Sequence, residues 1–376
     1  MLSDAWLRVK RILAVRLDNI GDIVLLSPAL RILQEQLPDA QITLLASPAG
    51  SQVVPLLPWV KDVITWRAVW QDISGEMGGN PEREYTLVNT LREGGFDAAV
   101  IFTSFSQSPY PPAYACYLAG IPIRLGHSRE FGGGVLSEWY QPPADESHQA
   151  ERNLSLLASA GFEINNRALE LHIPEDVQAN ADHLLDSLGL NPFKPFILVA
   201  PGASANARRY PPERFADVIQ RIPEKTGLPV VVVGSERETE KIAPVLQTTT
   251  RQDIYSLVGV TSVAELAALI RRANLVVANN SASLHIADAF LTPVVVLYSG
   301  TELESQWNPR RSLAKLLRRP TWCSPCYRFD CPYHLECLDI SPGAIIRSIV
   351  DVLEEAGSKE TRDARTPALL EHQTIG

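Results

Sequence analysis

The chain has 376 residues, of which 45% are hydrophobic and 20% charged, and its formal net charge is -9. That length supports two ordinary domains with real cores, and the acidic balance argues against a nucleic-acid binder, which would show a basic face. No apolar run approaches the roughly 18 residues that a spanning helix needs. The opening MLSDAWLRVKRILAVRLD breaks its apolar residues with Asp4, Arg8, Lys10 and Arg11, unlike a secretory leader.

In chain order, RILAVRL (11–17) reads as a strand and IVLLSPALRILQEQL as the helix after it. QITLLAS, DVITW, DAAVIFTS and IRLGH continue the strand series, with helical or loop material between them. Such alternation predicts a parallel sheet covered on both faces. The pattern weakens around DVQANADHLLDSLG, a helix flanked by Pro174 and Pro192. A second series then follows. Its strands are FILVAPG, LPVVVVG, DIYSLVG, LVVANN and TPVVVLY. Its helices are PPERFADVIQRI, ETEKIAPVLQ, a helix opened by the Ser262/Glu265 capping box, SASLHIADAF and GAIIRSIVDVLEEAG. The expected fold is α/β, two doubly wound domains facing a cleft. The expected division is 1–172 for the first domain, 173–194 for the connection, 195–357 for the second domain and 358–376 for a polar, disordered tail.

In open α/β sheets, ligands bind beyond the carboxyl ends of the strands, and three such ends carry chemistry. In RLDNIGDIVLL, Gly21 permits a tight turn, and Asp22 either caps the following helix or aims a carboxylate into the cleft. No GxGxxG fingerprint is present there. In VAPGASANARRYPPERF, a small-residue loop precedes Arg208 and Arg209, a pair suited to gripping a phosphate or simply to facing solvent. In VVANNSASLHIADAF, a strand ends at Asn279 and Asn280, and Ser281, Ala282 and Ser283 open a helix. Asn280 or Ser281 is the expected cap. The free N–H groups of such a helix start favour an anion, and the small side chains let a diphosphate approach. His285, one turn in, belongs either to the core or to the ligand.

Cys116 stands alone in an apolar segment and reads as core. The other four cysteines, Cys323, Cys326, Cys331 and Cys337, have the spacing C-x2-C-x4-C-x5-C. Four thiols that close suit either a zinc ion or reduced structural thiols. The segment WNPRRSLAKLLRRPTW sets five basic residues between Trp307 and Trp322. Basic residues beside interfacial aromatics suit anionic headgroups, and a solvated loop and strand is the competing reading.

Three blocks together resemble glycosyltransferase family 9, the heptosyltransferases of lipopolysaccharide assembly. They are RLDNIGDIVLLSPALRILQEQLPDAQITLLA, PGASANARRYPPERFADVI and LVGVTSVAELAALIRRANLVVANNSASLHIADAFLTPVVVLY, and CSPCYRFDCPYHLECLDI is also typical of that family. The resemblance implies a GT-B arrangement of two Rossmann-like domains, with the acceptor bound mainly by the first and a nucleotide-sugar by the second. It implies inverting transfer without a metal and without a cofactor. By position, Asp22 falls on the family's general base and Arg208 near a basic residue that meets the donor phosphates. Glu238 falls close to an acidic residue that holds the ribose. Ser281, Ala282 and Ser283 match the small residues at the diphosphate, and His285 matches the family's histidine. The family often has Asn-Asp-Ser-Gly-Pro where this chain has Asn279-Asn280-Ser281-Ala282-Ser283, so Asn280 replaces a carboxylate with an amide. The implied partners are a nucleoside-diphosphate sugar (ADP-heptose) and a glycan or lipid-linked acceptor, with no nucleic acid. The implied location is the cytoplasm, with peripheral contact at the inner membrane surface. A sugar-nucleotide epimerase and a non-catalytic nucleotide-sugar binder are the alternatives. Turnover with and without an acceptor separates all three.

Overall fold

The computed structural model describes residues 2–72, 75–131 and 133–363. Among them, twelve strands form two six-stranded sheets, and the paired strands run parallel. The first sheet holds β1 (Arg11–Arg16), β2 (Gln41–Ala46), β3 (Val60–Thr65), β4 (Ala98–Ile101), β5 (Ile123–His127) and β6 (Glu138–Tyr140). Its order is β3-β2-β1-β4-β5-β6. The second holds β7 (Ile197–Ala200), β8 (Val230–Val232), β9 (Ile254–Ser256), β10 (Leu275–Asn279), β11 (Val294–Leu297) and β12 (Ala314–Leu317). From its far edge it runs β9-β8-β7-β10-β11-β12, the same order repeated. In both sheets the chain reverses direction between the first and fourth strands. There the carboxyl ends splay apart and leave a crevice.

Burial explains which strands the sequence announces. The central strands β4, β7, β10 and β11 are buried throughout, so they read as continuous Val/Ile/Leu/Ala runs. The edges β6 and β12 are short and largely half-buried, and they fall outside the predicted series. The single helix expected after β1 is two, Ile20–Val24 and Ser27–Gln36. Pro28 sits in the first turn of the second, where its missing N–H costs nothing; inside one continuous helix it would break a hydrogen bond. The Ser262/Glu265 box forms as expected: Ser262 Oγ accepts from the Glu265 N–H (3.2 Å) and Glu265 Oε2 from the Ser262 N–H (2.8 Å). The last helix runs Pro342–Asp363 and so passes the point where the polar tail was expected to begin. Residues 364–376 of that tail lie outside the described residues.

The two halves meet along a set of polar and aromatic contacts. Helix Glu175–Ser187, in the connecting segment, lies against helix Val263–Arg272, with Asp182 bridging Arg272 at 2.8 Å. The stretch 304–311 straps back onto the start of helix Gln149–Ser159. Gln306 donates to the Asp145 carbonyl (2.6 Å), His148 Nε2 pairs with the Asn308 carbonyl (3.0 Å), and Arg310 bridges Glu151. Asp288 fixes the strap from below by accepting the N–H groups of Arg310, Arg311 and Ser312 at 2.8–3.0 Å.

The basic segment is therefore largely occupied inside the protein. Lys315 pairs with Asp351, Arg318 with Glu304 and Arg319 with Asp339. Part of the segment forms the strand β12, as the loop-and-strand reading expects.

The backbones of the halves also come close at Gly21. A Cβ there would lie 2.8 Å from His285 Cδ2 and 3.6 Å from the Ala282 Cα. His285 is buried, so its ring has little room to yield. Gly21→Ala should push the halves apart, lowering stability by about 1–3 kcal/mol and turnover more than either substrate's affinity. Thermal unfolding beside steady-state kinetics checks this, and an alanine variant with wild-type values would remove the contact from the design of the site.

Candidate active site

The site begins with Arg16 at the end of β1. Its side chain is fully buried, and its guanidinium binds Asp18 (2.8 Å), Asp22 (2.7 Å) and the Ser104 hydroxyl (2.7 Å). Two carboxylates and a hydroxyl around one buried cation fix the 18–22 turn. Asp22 also accepts the Asn19 N–H through its other oxygen, at 3.1 Å. The two sequence readings of Asp22 are thus compatible: one oxygen caps the helix, and the other faces Arg16 and Ser104. Burial raises the Asp18 pKa; Arg16 pulls against it, and Asp22 adds to it. Gln107 holds the Asp18 carboxylate from the far side at 2.7 Å.

Across the interface stands the helix Ala282–Phe290. The Leu284 N–H donates to the Ser281 carbonyl (3.1 Å); the N–H groups of Ala282 and Ser283 at the helix start have no intrahelical acceptor, and the helix dipole favours an anion in front of them. Ser281 occupies the cap position with extended backbone and makes no side-chain cap bond. The expected cap at Asn280 also does not form. The Asn280 Oδ1 instead accepts the Ser299 N–H (3.3 Å) and the Ser299 hydroxyl (3.2 Å), which reaches Thr301 in turn (3.0 Å). Two donors on Oδ1 turn the amide nitrogen the other way, and it is buried without a partner among the described residues. Asn279 ties strand ends together: its Oδ1 accepts the Tyr210 N–H (3.1 Å) and its Nδ2 donates to the Pro201 carbonyl (2.7 Å). Asparagines stand at the end of β10 because the loop after β7 takes a donor and an acceptor from Asn279, and the loop after β11 takes an acceptor from Asn280.

Arg208 follows β7 and pairs with Glu302, which follows β11. Both side chains are about four-fifths buried. Burial raises the Glu302 pKa, Arg208 opposes the rise, and Asp22 adds to it from the other half. Glu238 lies over Gly202, the glycine after β7. A Cβ on Gly202 would meet Glu238 Oε1 at 1.9 Å, so the glycine is what admits the carboxylate. The other oxygen of Glu238 accepts the Ser235 N–H (2.8 Å) and hydroxyl (2.9 Å). Asp22, His285, Arg208 and Glu302 act electrostatically on one another and form one cluster. Glu238 and Asn280 lie at the rims of the same strand ends.

The four clustered cysteines line a cavity of about 20 Å³ beside Ala207, Gly300 and Thr301. They are free thiols, and the Cys331 sulfur accepts the N–H groups of Tyr333 (3.3 Å) and Leu335 (3.4 Å). Among the described residues no three His, Cys, Asp or Glu side chains gather so as to hold a metal ion. Cys116 is buried, which pushes its thiol up to about 12.

Sequence reasoning missed Arg16, Glu302 and Trp307. Arg16 hides inside an apolar run. Glu302 does carry a signal, since it stands just past the end of a buried strand. Trp307 lies in the strap and packs at 6.2 Å from both Phe105 and His285.

Burial lowers the His285 pKa to about 4; Asp22 and Asp288 oppose this, and Arg208 assists. His148 and His127 are lowered to about 3, chiefly by burial. Below pH 6.5 the unfolded chain takes up protons that these folded histidines refuse. Their contribution is therefore complete above pH 6.5 and falls as pH drops toward 4 and below. For His285 the full loss is on the order of 3 kcal/mol. The melting temperature should decline from pH 6.5 to 4, less steeply in a His285→Gln variant. Equal slopes would mean that His285 is not buried neutral.

Residues 85–335 match the sequence profile of glycosyltransferase family 9 (heptosyltransferase). The chain is 26% identical to lipopolysaccharide heptosyltransferase 2 of Escherichia coli K12 over 361 residues, 92% of this chain and 100% of the relative. Its fold matches the crystal structure of a family 9 glycosyltransferase from Veillonella parvula, with a TM-score of 0.78, 22% identity, and coverage of 94% of this chain and 99% of that one. It also matches an E. coli heptosyltransferase solved with ADP-2-deoxy-2-fluoro heptose, with a TM-score of 0.66, 16% identity, and coverage of 91% and 99%. The matched profile takes in well over half of the residues, including Arg208, Glu238, the Asn280–His285 helix start and Glu302, and so the chain belongs to glycosyltransferase family 9 and is a sugar-transferring enzyme.

Proposed function

We propose that this enzyme moves a sugar from a nucleoside-diphosphate donor, ADP-heptose by kinship, to a glycan acceptor of lipopolysaccharide type, with inversion at the anomeric carbon. One observation carries the reading: the Gly21–Asp22 turn of the first half abuts the helix start Ser281–Ser283 and His285 of the second. A base and an anion site on opposite sides of one seam suit displacement, with the nucleophile entering from one side and the diphosphate leaving toward the other.

In this reading the donor lies on the second half. Its ribose hydroxyls meet the free Oε1 of Glu238. Its diphosphate meets the helix-start N–H groups and Arg208, which must exchange part of its contact with Glu302 for the phosphates. The buried Asn280 amide donates to an oxygen of the donor. His285, neutral at physiological pH, supplies shape and a hydrogen bond rather than charge. The acceptor lies on the first half, where a cavity of about 190 Å³ opens beyond β1 and β4, lined by Leu17, Trp70, Thr103 and Gln107 among others.

As the acceptor hydroxyl attacks, Asp22 takes its proton. The Arg16 contact keeps that carboxylate oriented. Negative charge grows on the departing diphosphate, where fixed protein donors stabilise it without having to reorganise. The reading assigns this task to protein groups, so neither a metal nor a cofactor is called for. No helix among the described residues is long and apolar enough to cross a membrane. A cytoplasmic enzyme meeting a lipid-linked acceptor at the inner membrane surface fits the reading.

Asp22→Asn and Asp22→Ala should each cut turnover by roughly 10²- to 10⁴-fold, with ADP affinity nearly unchanged. Asn can partly replace the cap, so its stability cost should be below about 1 kcal/mol. Calorimetric ADP titration, thermal unfolding and acceptor-dependent release of ADP from ADP-heptose measure the three quantities. A fully active Asp22→Asn enzyme would remove Asp22 as the base. ADP release that ignores the acceptor would point to chemistry other than transfer.

A further inference from the structure

Three buried side-chain nitrogens of the second half have no hydrogen-bond partner among the described residues: Arg208 Nε, Asn280 Nδ2 and Trp307 Nε1. All three are donors. A buried donor left unpaired has given up its hydration for nothing in return, so it calls for an acceptor from outside the chain. An oxygen-rich ligand supplies such acceptors. Arg208 and Asn280 already have a task in the donor reading, and Trp307 has none. Trp66, the other buried indole without a partner, lies beyond the edge strand β3 under the Arg83 guanidinium at 4.3 Å. Trp307 stands between the halves.

Its position follows from the strap. Trp307 ends the short helix Glu304–Trp307. The strap that carries it is rooted on Asp288, in the same helix as Ser283 and His285, and reaches Asp145, His148 and Glu151 of the first half. The indole packs at 6.2 Å from His285 on the second half and at 6.2 Å from Phe105 on the first, where Arg152 lies over the Phe105 ring. His285 in turn abuts Gly21, next to Asp22. Trp307 is thus one ring removed from the turn that carries the base. Arg208 and Glu238, assigned to the diphosphate and the ribose, follow other strands of the second half. The unit of the donor that lies between the diphosphate and the base is the sugar.

We infer that Trp307 binds the sugar being transferred: its indole N–H donates to a hydroxyl of that sugar and its ring covers a C–H face, so the site selects a donor sugar with a hydroxyl at that point. This rests on the reading of the seam as a transfer site and adds the residue that reads the sugar. A neutral donor suits a neutral hydroxyl, whereas the diphosphate has Arg208 and the helix-start N–H groups. The ring is half-buried and its N–H fully so. A sugar that enters between the strap and His285 therefore takes up a hydrogen bond that the empty seam leaves unmade. A site built around such a bond rejects a sugar lacking the hydroxyl far better than an apolar pocket rejects one extra group.

The test is calorimetric titration of ADP and of ADP-heptose into the full-length chain and into a Trp307→Phe variant, which keeps a ring beside Phe105 and His285 and deletes the N–H. ADP should bind both proteins alike. ADP-heptose should bind the variant about three- to thirtyfold more weakly, and kcat/KM for transfer should fall by at least that factor while the acceptor KM stays level. If the phenylalanine variant fails to fold, replacing the indole at 307 by benzothiophene keeps the shape and removes the N–H. The inference is overturned if ADP-heptose binds wild type and variant equally. It is overturned too if ADP weakens by the same factor as ADP-heptose, since the loss then concerns the nucleotide or the fold rather than the sugar. Wild type that binds neither ligand would overturn the nucleotide-sugar reading and this inference with it, whereas ADP-heptose binding indifferent to the variant overturns the inference alone.

Discussion

A buried arginine cannot stand without counter-charges, and much of this site follows from satisfying Arg16. The side chain ends β1 with no exposure, so the chain that leaves the strand must bring carboxylates back to it at once. Asp18 and Asp22 do so within six residues, which forces the tight turn at Gly21 and starts the short helix Ile20–Val24. Ser104 binds the same guanidinium from the loop after β4, so the two strand ends that flank the crevice are tied together. Gln107 then fixes Asp18. One ion cluster thus sets the orientation of Asp22, the shape of the turn and the position of the neighbouring loop.

The second half uses neutral hydrogen bonds for the same purpose. Asn279 joins the loop after β7 to the end of β10, and Asn280 joins the end of β10 to the loop after β11. Each amide offers a donor and an acceptor, so each can bridge backbone groups without adding charge. This leaves Arg208 as the cation beside a helix start that favours anions, an arrangement that a nearby carboxylate at position 280 would partly cancel. Glu302 already supplies one negative partner there. The repeated strand order puts the two rims face to face, and the contrast between them, ionic on one side and amide-based on the other, suits a base opposite an anion-accepting surface.

The seam itself is held by a separate set of hydrogen bonds and an ion pair. Asp288 gathers three successive N–H groups of the strap, and the strap then reaches Asp145, His148 and Glu151. Of the basic residues that look free in the sequence, Arg310 is bound in these bridges. Burial of His148 and His285 beside the strap keeps both neutral, which avoids adding cations where Arg310 and Arg208 already lie close.

The sequence by itself determined the α/β class, most of the central strands and the three strand ends at which chemistry gathers. Those features are local: apolar runs of strand length, prolines and capping residues at helix starts, and small residues where a backbone must be approached. Asp22, Arg208 and the Ser281–Ser283 helix start were legible as candidates for the same reason. Tertiary structure decided the partners. Nothing in a linear pattern shows that Asn280 turns to Ser299 rather than capping its own helix, because the competing hydrogen bond comes from 19 residues away. Nothing local shows that the basic strap is neutralised from three other segments, or that the edges β6 and β12 pair at all, since half-exposed edge strands carry weak periodicity. The buried arginines make the contrast sharpest. Arg16 lies in an apolar run and Arg152 in the polar stretch Glu151-Arg152-Asn153, so no shared local pattern marks both as buried. Only the fold gives the first two carboxylates and leaves the second with none, because the counter-charge of a buried ion is set by what packs against it in space.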